Sequence, residues 1–320
     1  MGKSITFSKV SKVDKMNSTG FFFVTIGLCV KNAELTVAKA IHSIVSQNFP
    51  HESLELIVIE GFSQDQTLSI VKKDLSEVDF DFQILQDDKG LGAARQIVVN
   101  KAQGRYIVWV DADMILPDNY VQRQVEFMEQ NRSIAVAAGK YGLHQGQGMA
   151  ADLENLVYAV DSVYGEKDTA KFGYLPGAEG AIYRVEAIRQ VGGFDMNIKG
   201  AAEDTELDYR LIVSGWTLGK TDTFFVESTR PTLFSLWHQY FWYGRGGHFI
   251  YHKDIRALAL LKMTPFAGFV AGLIRCPQAY ALIHKKKVFL MPMHYLFKRI
   301  AWFLGFFSAH VDGYGHFKTN

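Results

Sequence analysis

The feature that most narrows what this chain can become is the run Tyr106-Ile107-Val108-Trp109-Val110, which stops at Asp111-Ala112-Asp113. Five consecutive apolar residues, mostly β-branched or aromatic, leave no polar face. The segment therefore suits a strand covered on both sides, as in a parallel sheet. Open α/β sheets bind ligands at the carboxyl ends of such strands, so the two acids are expected at a mouth. Alternate residues of an extended segment point to the same side. Asp111 and Asp113 are thus expected to face one ligand together, and paired carboxylates suit a hard divalent cation carrying phosphate oxygens. Taken alone, a bare Asp-x-Asp is more commonly an acidic turn after a strand.

The surrounding sequence supplies the rest of such a sheet. Strands are expected at Phe22 to Val30, Leu54 to Ile59, Phe80 to Leu85, Tyr106 to Val110 and Ile134 to Ala138, with helices at Leu35 to Ser46, Gln66 to Leu75, Leu91 to Lys101 and Asn119 to Gln130. This alternation predicts an α/β fold, a Rossmann-like, mostly parallel sheet with helices on both faces. With 34 basic and 33 acidic residues there is no global field that would draw the chain to nucleic acid. The two cysteines, Cys29 and Cys276, make neither a disulfide framework nor a metal-ligand spacing, which points to a reducing compartment. Residues 1 to 20 are polar and lysine-bearing, without the apolar core of a secretory signal, and are expected to form a loose arm.

Past Gly139 the rhythm changes. A helix is expected from Met149 to Tyr164, then a glycine-rich passage containing Pro176-Gly177-Ala178-Glu179-Gly180, then Gly192-Gly193-Phe194-Asp195. Glu203-Asp204 follow, and acids in a first turn, Leu207 and Leu211, and a closing Gly215 predict a helix beginning near Asp204. Trp237 to Gly246 is dense in aromatics and is read as ending in a flexible basic turn at Gly244-Arg245-Gly246. The apolar stretches 257 to 274 and 288 to 309 are interrupted by Lys262, Thr264 and Pro265, and by Lys298-Arg299, with Lys285-Lys286-Lys287 between them. Basic residues beside aromatic, amphipathic helices suit helices lying in a lipid interface or a short re-entrant hairpin, and two core-packing helices are the competing reading.

Taken in order, these pieces resemble the family-2 glycosyltransferases with the GT-A fold, from about Phe22 to Trp216. The resemblance implies a catalytic domain over 21–230, with a nucleotide-binding half 21–140 and an acceptor half 141–230, and the basic, aromatic helices beyond it are read as a membrane-associating region, 231–320. The same resemblance implies a metal-dependent, inverting hexosyltransferase that moves a sugar from a nucleotide-diphosphate donor to a hydroxyl, and the carboxyl-terminal helices suggest that this hydroxyl belongs to a glycan or polyprenyl-linked acceptor at the cytoplasmic face of a membrane. Glu60 takes the place of the acid that contacts the base, with Gly61 where the family has a second aspartate. Arg95, in Lys89-Gly90-Leu91-Gly92-Ala93-Ala94-Arg95, lies near the diphosphate at a helix amino terminus that favours anions. Asp113 becomes the principal ligand to Mn²⁺ or Mg²⁺, and Asp111 lies by the ribose or assists the metal. Glu179 contacts the donor sugar or the acceptor, Asp204 is the base, and Arg245 lines the acceptor channel or closes over the diphosphate.

Two readings from other classes stand beside this one. A nucleotidyltransferase shares the sheet and acidic metal site, but it would place a basic glycine-rich loop after the first strand, and Lys31-Asn32-Ala33-Glu34 is not one. A non-catalytic sugar-nucleotide or lipid-binding scaffold would need no base at Asp204.

Overall fold

The computed structural model describes residues 7–9, 23–165, 177–198, 200–254 and 260–314. The chain divides into two compact units. One comprises Met1–Gly139, Leu175–Lys199 and Leu207–Glu227; the other comprises Lys140–Tyr174, Gly200–Glu206 and Ser228–Asn320.

The first unit is built on strands β1 (Phe7–Lys9), β2 (Val24–Val30), β3 (Leu54–Glu60), β4 (Asp81–Gln86), β5 (Tyr106–Asp111), β6 (Met114–Ile115), β7 (Ile134–Tyr141), β8 (Ile182–Arg184) and β9 (Thr217–Glu227). They form one sheet in the order β1-β4-β3-β2-β5-β8-β7-β9-β6. Helices α1 (Val37–Val45), α2 (Thr67–Leu75), α3 (Leu91–Lys101) and α4 (Tyr120–Gln130) connect the early strands. The strands β4, β3, β2 and β5 pair in parallel, as continuous apolar runs require. Every residue of β3 is buried, and Trp109 and Tyr106 of β5 are among the largest fully buried side chains. Gly27 makes room for that tryptophan: a Cβ there would stand 2.5 Å from the Trp109 ring.

Several features depart from the expectation. Phe7–Lys9 of the supposed loose arm pairs antiparallel with β4, covering backbone groups that an edge strand would leave bare. The remainder of residues 1 to 20 lies outside the described residues. The strand β8, only three residues long, inserts antiparallel between β5 and β7. Helix α6 (Val185–Gln190) and strand β9 were not foreseen either.

The second unit is helical: α5 (Met149–Tyr164), the first turn of α7 (Glu203–Val213), α8 (Leu233–Lys253), α9 (Pro265–Ile283) and α10 (Met291–Asp312). Its core joins Leu153, Leu156, Val157 and Val160 of α5 to Cys276, Ala279, Val288, Met291 and Tyr295. Gly244-Arg245-Gly246 is not a turn. Helix α8 runs straight through it, because a Cβ on Gly244 or Gly247 would strike Trp302 and one on Gly305 would strike the Phe241 carbonyl. Close helix approach outweighs the roughly 1 kcal/mol helix penalty of each glycine. Pro265 likewise starts a helix: it occupies the first turn of α9, behind Thr264, whose hydroxyl accepts from the Ala267 amide.

Candidate active site

Register alone brings the first acids together. On β2, Val30 pairs with Glu60 of β3 and Cys29 pairs with Asp111 of β5, so Glu60 and Asp111 end the two strands that flank β2. Two strand spacings separate them, roughly 10 Å. The strand ends at Asp111, and Ala112-Asp113 form a turn into β6, so strand alternation does not extend to Asp113 as expected. Asp111 and Asp113, both half-buried, therefore stand at a strand end and in the turn that follows it rather than along one strand face.

Glu60 is fully buried. Its carboxylate accepts from the Ser63 amide at 2.6 Å and from Gln86 Nε2 at 2.7 Å. Burial pushes its pKa up, but these hydrogen bonds from Ser63 and Gln86 outweigh burial and hold the carboxyl below its ordinary value. The same bonds fix the loop after β3. There Ser63 Oγ accepts from the Asn32 amide, and Asn32 Oδ1 accepts from the Gln64 amide, so the loops after β2 and β3 are laced together. At Gly61, the departure from the family pattern, a Cβ would lie 3.1 Å from the Lys31 side chain.

Arg95 reaches the same mouth from α3. Its Nη2 lies 3.6 Å from Asp111 Oδ1, and its side chain is 4% exposed. The guanidinium packs over the Trp109 ring, 5.4 Å from the centroid, and 6.0 Å from that of Phe194. Trp109 and Phe194 meet edge to face. These contacts explain Gly192-Gly193-Phe194-Asp195, which docks on α3. The Phe194 amide donates to Gln96 Oε1 at 2.7 Å, and Arg210 Nη2 donates to the Gly193 carbonyl at 2.6 Å. Gly92 lacks a side chain for the same reason, since a Cβ would stand 2.6 Å from the Asp195 carbonyl and 2.8 Å from that of Ile198. Sequence reasoning missed Trp109 and Phe194 as the clamp on Arg95, because each reads as an ordinary core aromatic.

The segment bearing Glu179 is pinned at both ends. Gly177, at φ +73°, donates its amide to Asp208 Oδ2, and Tyr183 OH lies 2.9 Å from Asp208 Oδ1. Gly180, at φ +63°, has its carbonyl bonded by Tyr120 OH at 2.6 Å and Gln124 Nε2 at 2.9 Å. A side chain at Gly180 would meet Phe225 and Tyr120. The β5/β8 pairing, Val108 with Ile182 and the Trp109 amide onto the Ala181 carbonyl, carries this segment to the end of β5 where Asp111 stands. Pro176 lies outside the described residues.

In the second unit Asp204 occupies the first turn of α7, as expected, and its Oδ1 accepts from the Thr205 amide at 2.6 Å. Three contacts from α8 support this turn: Trp242 Nε1 would meet a Cβ on Gly200, Gly246 packs against Ala201 and Ala202, and Lys253 pairs with Glu206. Ala202 holds φ +81°, a strained value for a residue with a Cβ, two positions before Asp204. Gly215, at φ +92°, closes the helix as expected. Arg245 is held on α8 by Asp312 Oδ2 at 2.6 Å and Ser308 Oγ at 3.2 Å, with Tyr314 beneath its guanidinium.

The family described as glycosyl transferase family 2 matches residues 25–188. The succinoglycan biosynthesis protein ExoA of Rhizobium meliloti (strain 1021) is 30% identical over 224 residues, 66% of this chain and 67% of that one. The poly-beta-1,6-N-acetyl-D-glucosamine synthase of Staphylococcus epidermidis is 22% identical over 232 residues, 71% of this chain and 55% of its own length. The mannosyltransferase PcManGT of Pyrobaculum calidifontis, solved with GDP-Man and Mn²⁺, shares the fold with a TM-score of 0.65 at 16% identity, over 92% of this chain and 88% of that one.

Proposed function

This chain belongs to glycosyl transferase family 2, and from that premise we propose that it is an inverting, metal-dependent enzyme acting on a glycan or polyprenyl-linked hydroxyl at a membrane surface. The donor is a nucleotide-diphosphate sugar. The observation that carries the reading is the buried Arg95, clamped by Trp109 and Phe194 with its guanidinium beside Asp111 at the strand ends. A cation so fixed suits a diphosphate, since its hydrogen-bond fork needs no reordering as charge develops on the leaving group.

Glu60 receives the base, Asp111 the ribose, and Glu179 a sugar hydroxyl. Asp113, with help from Asp111, offers hard oxygen donors that fit Mn²⁺ or Mg²⁺. The Mn²⁺ bound to PcManGT supports that assignment. The ion would neutralise negative charge on the departing nucleotide diphosphate. Asp204 accepts the proton of the acceptor hydroxyl while that oxygen forms its bond to the anomeric carbon. The bond from the anomeric carbon to phosphate oxygen breaks on the opposite face, so one base suffices and the configuration inverts.

Helix α9 supports the membrane assignment. Its buried residues are Gly268, Gly272, Cys276 and Ala279, one narrow stripe of small side chains, while Phe266 and Ile274 are 78% and 64% exposed. Its 19 residues are long and apolar enough to cross a bilayer by length and composition. An apolar helix with exposed Phe266, Leu273, Ile274 and Tyr280, next to exposed Lys285 and Lys286, suits the lipid interface.

Asp204→Asn tests the enzyme reading. Transfer should fall by about 10²- to 10⁴-fold, the usual contribution of a positioned base, while thermal stabilisation by the nucleotide sugar persists. Unchanged transfer would remove Asp204 from the mechanism, and a chain stabilised by nucleotide sugar yet inactive in the wild type would be a binding module.

A further inference from the structure

Helices α8 and α10 bring three imidazoles together on the second unit. His248 and His252 stand one turn apart on α8, and His310 stands in the last turn of α10. Their nearest ring nitrogens all lie within 4.8 Å of one another. His248 Nε2 is 3.2 Å from His310 Nδ1 and 3.0 Å from His252 Nε2. The glycines described above create this convergence, because helices in close backbone contact let short side chains reach across.

The protonation of His248 follows from its other nitrogen. Nδ1 lies 2.6 Å from the Tyr314 carbonyl, which only accepts, so Nδ1 carries the proton and the neutral ring presents its Nε2 lone pair to the other two rings. A backbone carbonyl behind one ring nitrogen is the arrangement that orients a metal-ligating histidine. His248 is itself buried, while His252 and His310 are exposed, so one ligand is fixed and the cluster opens to solvent. A tetrahedral ion with Zn–N bonds of about 2.0–2.1 Å separates its ligand nitrogens by roughly 3.3 Å, close to the two spacings seen here.

We propose that His248, His252 and His310 form a divalent transition-metal site, selective for Zn²⁺ and similar borderline ions over Mg²⁺ or Mn²⁺. Imidazole donors favour this class, whereas Asp111 and Asp113 favour hard ions. The site joins the carboxyl ends of α8 and α10.

Co²⁺ titration of the full-length protein tests it, because four-coordinate Co²⁺ gives intense visible bands and six-coordinate Co²⁺ does not. One equivalent should produce the intense bands, and Zn²⁺ should abolish them. Asp113→Asn should keep the bands, while His252→Ala and His310→Ala should lose them, with circular dichroism and transfer activity unchanged in these two variants. Zn²⁺ should also raise the melting temperature of the wild type and not of the histidine variants. Absence of intense bands in the wild type, their survival in both histidine variants, or their loss in Asp113→Asn would each overturn the assignment.

Discussion

Lys298 Nζ donates to Glu154 Oε2 across 2.8 Å in the interior of the second unit, where both side chains are at least 95% buried. His294 Nε2 donates to the same oxygen at 2.6 Å, and Tyr240 donates to Oε1. One carboxylate thus ties α5 to α8 and α10. The basic pair Lys298-Arg299, which in sequence interrupts an apolar stretch, includes a lysine turned inward onto this acid.

Glu154→Gln should therefore destabilise the protein by about 3–5 kcal/mol, since it leaves Lys298 as an uncompensated buried charge. The pH dependence has a definite sign. Burial raises the Glu154 pKa, but the Lys298 charge and the His294 hydrogen bond outweigh burial and hold the carboxyl well below its ordinary 4.5. Stability from this group is present above pH 4.5 and lost as pH falls below it, because the unfolded chain takes up the proton first. Burial, opposed by the Glu154 hydrogen bond, lowers His294 below its ordinary 6.5, which begins the same decline from about pH 6.5. Urea denaturation from pH 8 to pH 3 should show both steps in the wild type, and Glu154→Gln should remove the lower one.

Gly92→Ala tests whether the glycine serves packing. The added methyl would press on the carbonyls of Asp195 and Ile198, which are backbone and yield little. A loss of about 1–3 kcal/mol is expected on urea denaturation, with weaker donor binding as Phe194 shifts off Arg95. Full stability with impaired donor binding would instead indicate a direct role at the phosphates.

Arg95→Lys keeps the charge but loses the planar group stacked on Trp109. Loss of charge-assisted hydrogen bonds of about 1.5–3 kcal/mol should weaken nucleotide-diphosphate binding roughly 10- to 100-fold by calorimetry. Nucleotide-monophosphate binding should change much less. Equal losses for both would place Arg95 away from the diphosphate.

How much of this was legible in advance depends on what fixed each element. The run ending at Asp111 could be read because burial on both faces leaves a continuous apolar signature, and α3 and α5 appear at their expected bounds for a similar reason. Strand β8 could not, since three residues carry no period and its place between β5 and β7 is decided by long-range pairing. Strand β9 hid behind threonines, although buried Thr221, Thr223 and Phe225 do alternate. Gly244-Arg245-Gly246 misled because local propensity favours a turn there, and only the facing surface of α10 makes those glycines helical. Trp109 and Phe194 were visible as residues, but their closeness to Arg95 depends on tertiary packing.

The membrane assignment calls for substitutions rather than truncation, because Cys276, Ala279, Met291 and Tyr295 pack with α5 in one core and removing α9 and α10 would unfold it. Phe266 and Ile274 point away from that core. Phe266→Glu with Ile274→Glu should leave the melting temperature nearly unchanged, since surface changes usually cost within about 0.5 kcal/mol. Burying a carboxylate in lipid is unfavourable, so sedimentation with anionic vesicles should drop sharply in the double variant. Lys285→Gln with Lys286→Gln should reduce binding to anionic vesicles by about 1 kcal/mol per lysine, and the reduction should shrink as salt is raised. Unaltered partitioning in both double variants would show that the exposed face of α9 does not meet lipid.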